Sequence, residues 1–280
     1  MSFFREAAIN TVNSQSHICV FCVAEFHMNV LLCLQILYGS FAEMIYMQQF
    51  IQRFLFGLVF IILVTSCKKQ PPVVTEQTKA FAVSNFQKVR AGGSMEITVT
   101  KGANFSVRAI GRPADVQDLV IAQLNGELSV GYVNPQNRAK LQLQITMPSL
   151  EAFAFYNKSV FNVSGFNEQV MVVGVVDAET TGTLQLQAPS LKLDLQKQSA
   201  ITVTGNIDNL DILANDNVTV NTYGVHAQFV RAIIMKQSTA RVYVTNVLNA
   251  SAVDRSRIFY KGNPLNQFTS EIDNSTIGEE

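Results

Sequence analysis

From Phe81 onward the chain alternates apolar and polar residues with a period of two. Met95-Glu96-Ile97-Thr98-Val99-Thr100 alternates and stops at Lys101-Gly102. Phe105-Ser106-Val107-Arg108-Ala109-Ile110 alternates again and ends at Gly111-Arg112-Pro113. Glu127 to Val130 and Leu141 to Met147 continue the pattern. Such alternation predicts half-buried strands, with Val, Ile, Leu and Phe inward and Thr, Gln, Lys and Asp outward. Only Pro113 to Leu124 reads as a helix: a proline stands at its start, and Val116, Leu119, Val120 and Leu124 fall near one face.

After Pro148 the strands become quasi-periodic. A unit of polar, polar and small residues followed by alternating apolar positions begins at Asn157-Lys158-Ser159-Val160. It returns at Thr180-Thr181-Gly182, Lys197-Gln198-Ser199, Asn215-Asp216-Asn217, Lys236-Gln237-Ser238, Asp254-Arg255-Ser256 and Asp273-Asn274-Ser275. The small residue falls at 159, 182, 199, 217, 238, 256 and 275, a step of about 19. Second strands lie between the units: Val170 to Val173, Leu191 to Leu195, Leu210 to Ile212 and Ala232 to Ile234. A near-constant step of this length is the mark of a stacked repeat. It predicts a parallel β-helix, each strand pairing with its equivalent one rung on, rather than a sandwich of evenly spaced strands. The last unit, with Ile272, Ser275 and Ile277, reads as an unfinished rung with an open edge, so oligomerisation through the β-helix ends is expected to be available.

The first third of the chain has a different character. Phe54 to Val64 is a run of 11 uncharged apolar residues, preceded by Arg53 and followed by Lys68 and Lys69. It is too short to span a bilayer, which takes roughly 20 residues, but has the length of a secretory signal core. Val64-Thr65-Ser66-Cys67 resembles the lipobox of bacterial lipoproteins. That resemblance implies cleavage before Cys67 and lipid on its sulfur and amine, which supplies the several acyl chains that stable anchoring needs. Residues 1–66 are then an upstream extension plus signal peptide, with Met47 (or Met44) as the start. A second apolar patch, Val30 to Leu37, has no clear pattern. Residues 67–80, with Pro71-Pro72, form an extended tether, and 81–280 the domain.

Composition fits this division. Of 280 residues, 48% are hydrophobic and only 15% charged, with a net charge of zero. Residues 67–280 carry 19 Lys and Arg against 18 Asp and Glu. With no basic surplus or cluster, nucleic acid is not an expected partner. The four cysteines are Cys19, Cys22, Cys33 and Cys67, so the domain holds no disulfide. His17, Cys19, Cys22 and His27 are too weak a pattern to assign a metal site.

The lipobox, the opening Phe86-Gln87-Lys88-Val89-Arg90 with Met95 to Val99, the repeated small-residue turns and the terminal Tyr260-Lys261-Gly262-Asn263-Pro264 together resemble the head GIN domain family. The family is also called auto-transporter adhesins and is common in Bacteroidetes-like bacteria. The resemblance covers about 81–280, and the last stretch matches a Y-x-G-x-P motif. It departs at the turns, where members often carry Ser-Gly-Ser-Gly. It implies a right-handed parallel β-helix of the single-stranded, pectin-lyase-like kind with a small β-rich N-terminal part. It also implies an adhesin-like role at the cell envelope, in or on the outer membrane.

Chemistry is sparse. β-helices also carry polysaccharide-acting enzymes, whose sites need grouped carboxylates. Asp177, Asp194 and Asp211 are the candidates; Asp194 and Asp211 are 17 apart, about one rung, and so are expected to stack, an arrangement that suits a cation or a glycan. His226, the only histidine after Cys67, is expected in a loop without a triad partner. There is no phosphate-binding glycine motif. Neither catalytic nor metal-binding residues nor a cofactor is assigned. Outer Asn and Gln with Tyr156, Tyr223 and Tyr243 suit contact with glycan or protein. The expected function is a lipid-anchored, non-catalytic binding module, with a structural envelope component or a polysaccharide-acting enzyme as alternatives. The expected partners are membrane lipid through Cys67 and a glycan or envelope protein.

Overall fold

The computed structural model describes residues 75–134 and 138–280. Cys67, the apolar run, Met47 and the Cys/His pattern lie outside the described residues. Val73–Glu280 is one compact unit. Its described residues form 17 strands and one short helix, wound into a β-solenoid of about 7 turns.

Two faces make up each turn. The first stacks β6 (Glu127–Tyr132), β2 (Lys88–Gly92), β8 (Ala152–Tyr156) and β10 (Val172–Val176). It continues through the second halves of β11 (Thr181–Gln196), β12 (Ala200–Asn215), β13 (Thr219–Met235) and β14 (Thr239–Val253) to β16 (Asn266–Ile272). The second stacks β7 (Leu141–Met147), β3 (Met95–Lys101), β9 (Val160–Asn167), the first halves of β11 to β14, β15 (Arg257–Lys261) and β17 (Thr276–Glu279). All these pairings are parallel. Antiparallel strands close the N-terminal end: β5 (Leu119–Leu124) on β6, and β1 (Gln77–Phe81) on β4 (Ser106–Gly111) on β7.

A two-residue corner joins the faces. At Asn157-Lys158, Ala178-Glu179, Lys197-Gln198, Asp216-Asn217, Lys236-Gln237, Asp254-Arg255 and Asp273-Asn274 both residues are left-handed, with φ between 48° and 73°; Gly93-Ser94 is the eighth. The second residue of each corner donates its N–H to the carbonyl of the first residue one turn on, from Ser94 to Asn157 through Arg255 to Asp273, at 2.8–2.9 Å. The next residue points inward. Ser159, Thr180, Ser199, Val218, Ser238 and Ser256 are almost fully buried there. Their hydroxyls carry part of the ladder: the N–H groups of Val218, Ser238 and Ser256 donate to the Oγ atoms of Ser238, Ser256 and Ser275 at 3.1, 3.3 and 3.1 Å. The register thus places Thr180 and Val218, not Gly182 and Asn217, in the small-residue column, and the spacing becomes more even than the sequence pattern suggested.

The core is filled column by column. Phe153 sits over Gly174, then Leu193, Ile212, Ala232 and Ala250 follow. Phe161 sits over Gly182, then Ile201, Val220 and Ala240. A Cβ on Gly174 would lie 2.3 Å from the Phe153 ring, so the large ring and the missing side chain are complementary. Phe153, Phe155 and Phe161 pack with ring centroids 4.8–6.1 Å apart. Later turns fill the same space with Ala and Val.

The structure corrects three expectations. Helix α1 covers only Pro113–Gln117, and Leu119–Leu124 is β5, because pairing with β6 outweighs the weak helical pattern. β1 already occupies residues 77–80, assigned to the tether, by pairing with β4. The outer side of the first face is less polar than alternation implied, since Val173, Val175, Leu213, Ile233 and Met235 point outward there. On β16, whose residues are all exposed, the positions that continue the inner columns are Gln267, Thr269 and Glu271.

An ionic knot holds the N-terminal end. Asp115 is 2% exposed and receives Arg112 Nε at 2.7 Å and Arg138 Nη1 at 3.2 Å, while Arg138 Nη2 also binds Asp118. Burial opposes ionisation of Asp115, but the hydrogen bonds from Arg112 and Arg138 outweigh it and hold its carboxyl below the ordinary value.

Two outcomes follow. Ser238→Ala removes the buried acceptor of the Val218 N–H and should cost about 1–3 kcal/mol, read as a lower urea midpoint at unchanged slope. A depressed carboxyl pKa contributes stability that is complete above the unfolded value and is lost as pH falls through the folded one. Acid melts below about pH 4 should therefore show the wild type losing stability that Asp115→Asn, already weaker at pH 7, no longer has to lose.

Candidate functional site

The ladder shifts register between β9 and β11, between β12 and β13 and twice between β13 and β14, and the largest of these jumps lies on the second face. Between β13 and β14 the register jumps: Thr222 pairs with Val242, but the next pair is His226 with Tyr243. Tyr223, Gly224 and Val225 are therefore unmatched on the β14 side, while Gly224 and Val225 still pair with Thr204 and Gly205 of β12. A bulge re-aims side chains that alternation would fix. It is held by Tyr223 N–H donating to Asn221 Oδ1 at 3.1 Å and by Thr222 Oγ1 donating to the Arg241 carbonyl at 2.9 Å.

The bulge gathers an aromatic and cationic patch. His226 and Tyr243 stack, with centroids 4.2 Å apart and planes at 14°. Lys261 Nζ lies 4.5 Å from the Tyr223 ring centroid, and the Arg241 guanidinium 5.4 Å from that of Phe259. The Tyr223 hydroxyl donates to the Glu280 carboxylate, which also lies 3.4 Å from Arg241 Nε. Burial and then the Glu280 hydrogen bond push the Tyr223 phenol well above its ordinary pKa. The Tyr223 hydrogen bond, followed by the charges of Arg241 and Lys261, overcomes desolvation and holds Glu280 below the ordinary carboxylate value.

The terminal motif supports this patch. Tyr260 packs on the core and its hydroxyl donates to Gln267 Oε1 at 3.1 Å. Lys261 reaches Tyr223. Gly262 bends the chain immediately afterwards with φ +94°, and a Cβ there would sit 2.1 Å from the Val244 carbonyl oxygen.

The other expected residues lie elsewhere. Asp194 and Asp211 do not stack. Asp194 is level with Leu213, and Asp211 with Lys192 and Arg231, because the turn here is 19 residues and not 17. Asp211 is bridged to Arg231 at 3.2 Å, Asp194 accepts from Gln196 at 3.0 Å, and Asp177 is bridged to Lys197 at 3.1 Å. Each carboxylate is thus engaged by its own neighbour. His226 lies in a strand and not a loop. Tyr223 and Tyr243 come together, whereas Tyr156 is on the first face beside Gly92. Arg241 and Phe259 are not evident as site residues from sequence, and Lys261 stands there only within the terminal motif, though the 18-residue spacings from Arg241 to Phe259 and from Tyr243 to Lys261 carry that signal. Among the described residues no group of three or more His, Cys, Asp or Glu side chains is placed to hold a metal ion. A separate groove of about 330 Å³ on the first face is lined by Met171, Leu191, Leu210, Phe229, Val230 and Val247.

The family model described as "Putative auto-transporter adhesin, head GIN domain" matches residues 85–264. No curated protein matches the chain. A crystal structure described as a putative adhesin from Bacteroides fragilis is similar at 16% identity and a TM-score of 0.64, covering 75% of this chain and 99% of that one. A putative adhesin and a putative lipid binding protein, both from Parabacteroides distasonis, are similar with TM-scores of 0.54 and 0.53 at 15% and 16% identity; each match covers 74% of this chain and 97% of the other. These likenesses establish the shared fold.

Gly262→Ala should cost at least ~2 kcal/mol, since the new methyl meets backbone at a positive φ, while Asn263→Ala changes little; thermal melts of the two variants test this.

Proposed function

The chain belongs to the head GIN domain family, and from that premise we propose that it is a lipid-anchored cell-envelope binding module that holds glycan on the patch around Tyr223 and Tyr243. The stacked pair of His226 and Tyr243 beside a cation-capped Tyr223 is the observation that carries this reading. Flat aromatic faces take the C–H faces of sugar rings, and the neighbouring Arg241 and Lys261 supply hydrogen bonds at the rim. A β-solenoid presents these groups without a hinge, so little ordering is needed on binding. The lipobox-like Val64-Thr65-Ser66-Cys67 and the Pro71-Pro72 tether support anchoring at Cys67 in the outer membrane, with the domain held off the surface. A rigid domain on a short extended leash suits adhesion better than turnover, and the engagement of Asp177, Asp194 and Asp211 by neighbours fits that reading.

The test has two arms. Cys67→Ala should stop processing and release the protein from the membrane fraction; unchanged fractionation would count against the anchor. On a glycan array the wild type should bind, and Tyr243→Ala should weaken binding about 10-fold while melting at the wild-type temperature. Retained binding in that variant would remove the patch from the function.

A further inference from the structure

We propose that the patch recognises acidic sugars through a carboxylate site that the side chain of Glu280 fills in the unliganded protein. The inference rests on the glycan reading above and specifies its ligand class.

The geometry has three parts. First, the Tyr223 hydroxyl and Arg241 Nε converge on one carboxylate, that of Glu280. A phenol O–H and a guanidinium N–H meeting at one point form a donor pair for a carboxylate, and Arg is the residue best suited to such recognition. Lys261, over the Tyr223 ring, adds a second positive charge beside it. Both cations lower the Glu280 pKa, as they would that of any carboxylate in its place.

Second, Glu280 is a readily displaced occupant. Its side chain is 45% exposed, and it lies beyond the end of β17, where its backbone N–H donates to the Tyr260 carbonyl at 3.0 Å. An exposed ion pair of this kind contributes little, so an incoming carboxylate that also gains stacking replaces it at small cost.

Third, the stacking surface adjoins the donor pair. Arg241 and Tyr243 are two positions apart on β14 and so project from the same side of the sheet, and Tyr243 carries His226 against its ring. A uronic acid unit places its carboxylate on the ring carbon next to the ring oxygen, so the acid group and the ring's C–H face lie within one residue of sugar. The donor pair and the aromatic pair have the same adjacency.

The experiment is calorimetric titration of the full-length chain with oligogalacturonate, with its neutral methyl ester, and with an acidic peptide (oligoglutamate). Wild type should bind the acid more tightly than the ester. Glu280→Gln should raise affinity for the acid by about two- to fivefold, the scale of an exposed ion pair, and leave the ester unchanged. Arg241→Gln should lower affinity for the acid about tenfold or more and change the ester less than twofold. Tyr243→Ala should weaken both sugars. Equal binding of acid and ester, or indifference of the acid to both Glu280→Gln and Arg241→Gln, overturns the carboxylate site but leaves the glycan reading standing. Oligoglutamate binding as tightly as the sugar acid, with the same loss in Arg241→Gln, overturns the sugar assignment in favour of an acidic peptide. No binding of either sugar overturns both readings.

Discussion

Every turn of this solenoid passes through the same corner, two consecutive residues in the left-handed conformation. For L-residues that conformation costs roughly 1–2 kcal/mol each, and here Lys, Gln, Glu, Ala and Arg adopt it as well as Asn and Asp. What offsets the cost is repetition. Each corner gives its second N–H to the carbonyl of the corner one turn on, so the strain of one turn is balanced by a hydrogen bond made possible only by the equivalent strain of the next. The corner is therefore a cooperative feature. It forces parallel, in-register stacking, and it turns the following residue inward, which is why hydroxyls line up as a ladder at Ser238, Ser256 and Ser275.

With register fixed at the corner, the core becomes a set of columns that must be filled at constant spacing. The chain meets this by pairing large with absent: Phe153 over Gly174, Phe161 over Gly182. Moving along the axis, aromatic rings give way to Leu and Ile, and then to Val and Ala. Stability in such a stack is a sum of neighbour terms, so the two ends need their own solutions. The N-terminal end uses antiparallel strands and the Asp115 knot. At the other end the inner positions of β16 are polar.

Much of this was legible in the sequence because solenoid repetition writes itself into the order of residues. The period near 19, the alternation within Ile201 to Val203, and the second strands at Leu191 and Leu210 all led directly to stacked parallel strands. What was not legible depends on long-range pairing. Leu119 to Leu124 has a weak helical pattern, and only the edge of β6 makes it a strand. Gly182 looks like the small residue of its turn, but Thr180 holds that place because the corner falls at Ala178-Glu179, which carries neither Gly nor Asn. Asp194 and Asp211 appeared stacked on a step of 17, and a turn of 19 residues moves them into different columns. The Tyr223 bulge left one faint trace in the sequence, Gly224.

That bulge is where the proposed function parts from architecture. Three consecutive residues of β13 have no partner on β14, and each unmatched residue forfeits ladder hydrogen bonds on that side. Local departures from an otherwise consistent pattern are where functional sites are expected to lie. Here Tyr223 has no partner on β14, and Lys261, from the terminal motif, lies over its ring. Gly262, required by its positive φ and by the Val244 carbonyl, fixes where Lys261 can stand. The family motif and the bulge thus meet in one place from opposite directions: one is a structural glycine that ends a strand, the other an interruption that costs the fold. Their shared product is a cationic and aromatic surface. The regular part of the sheet, with its outward Thr and Asn, does not produce such a surface.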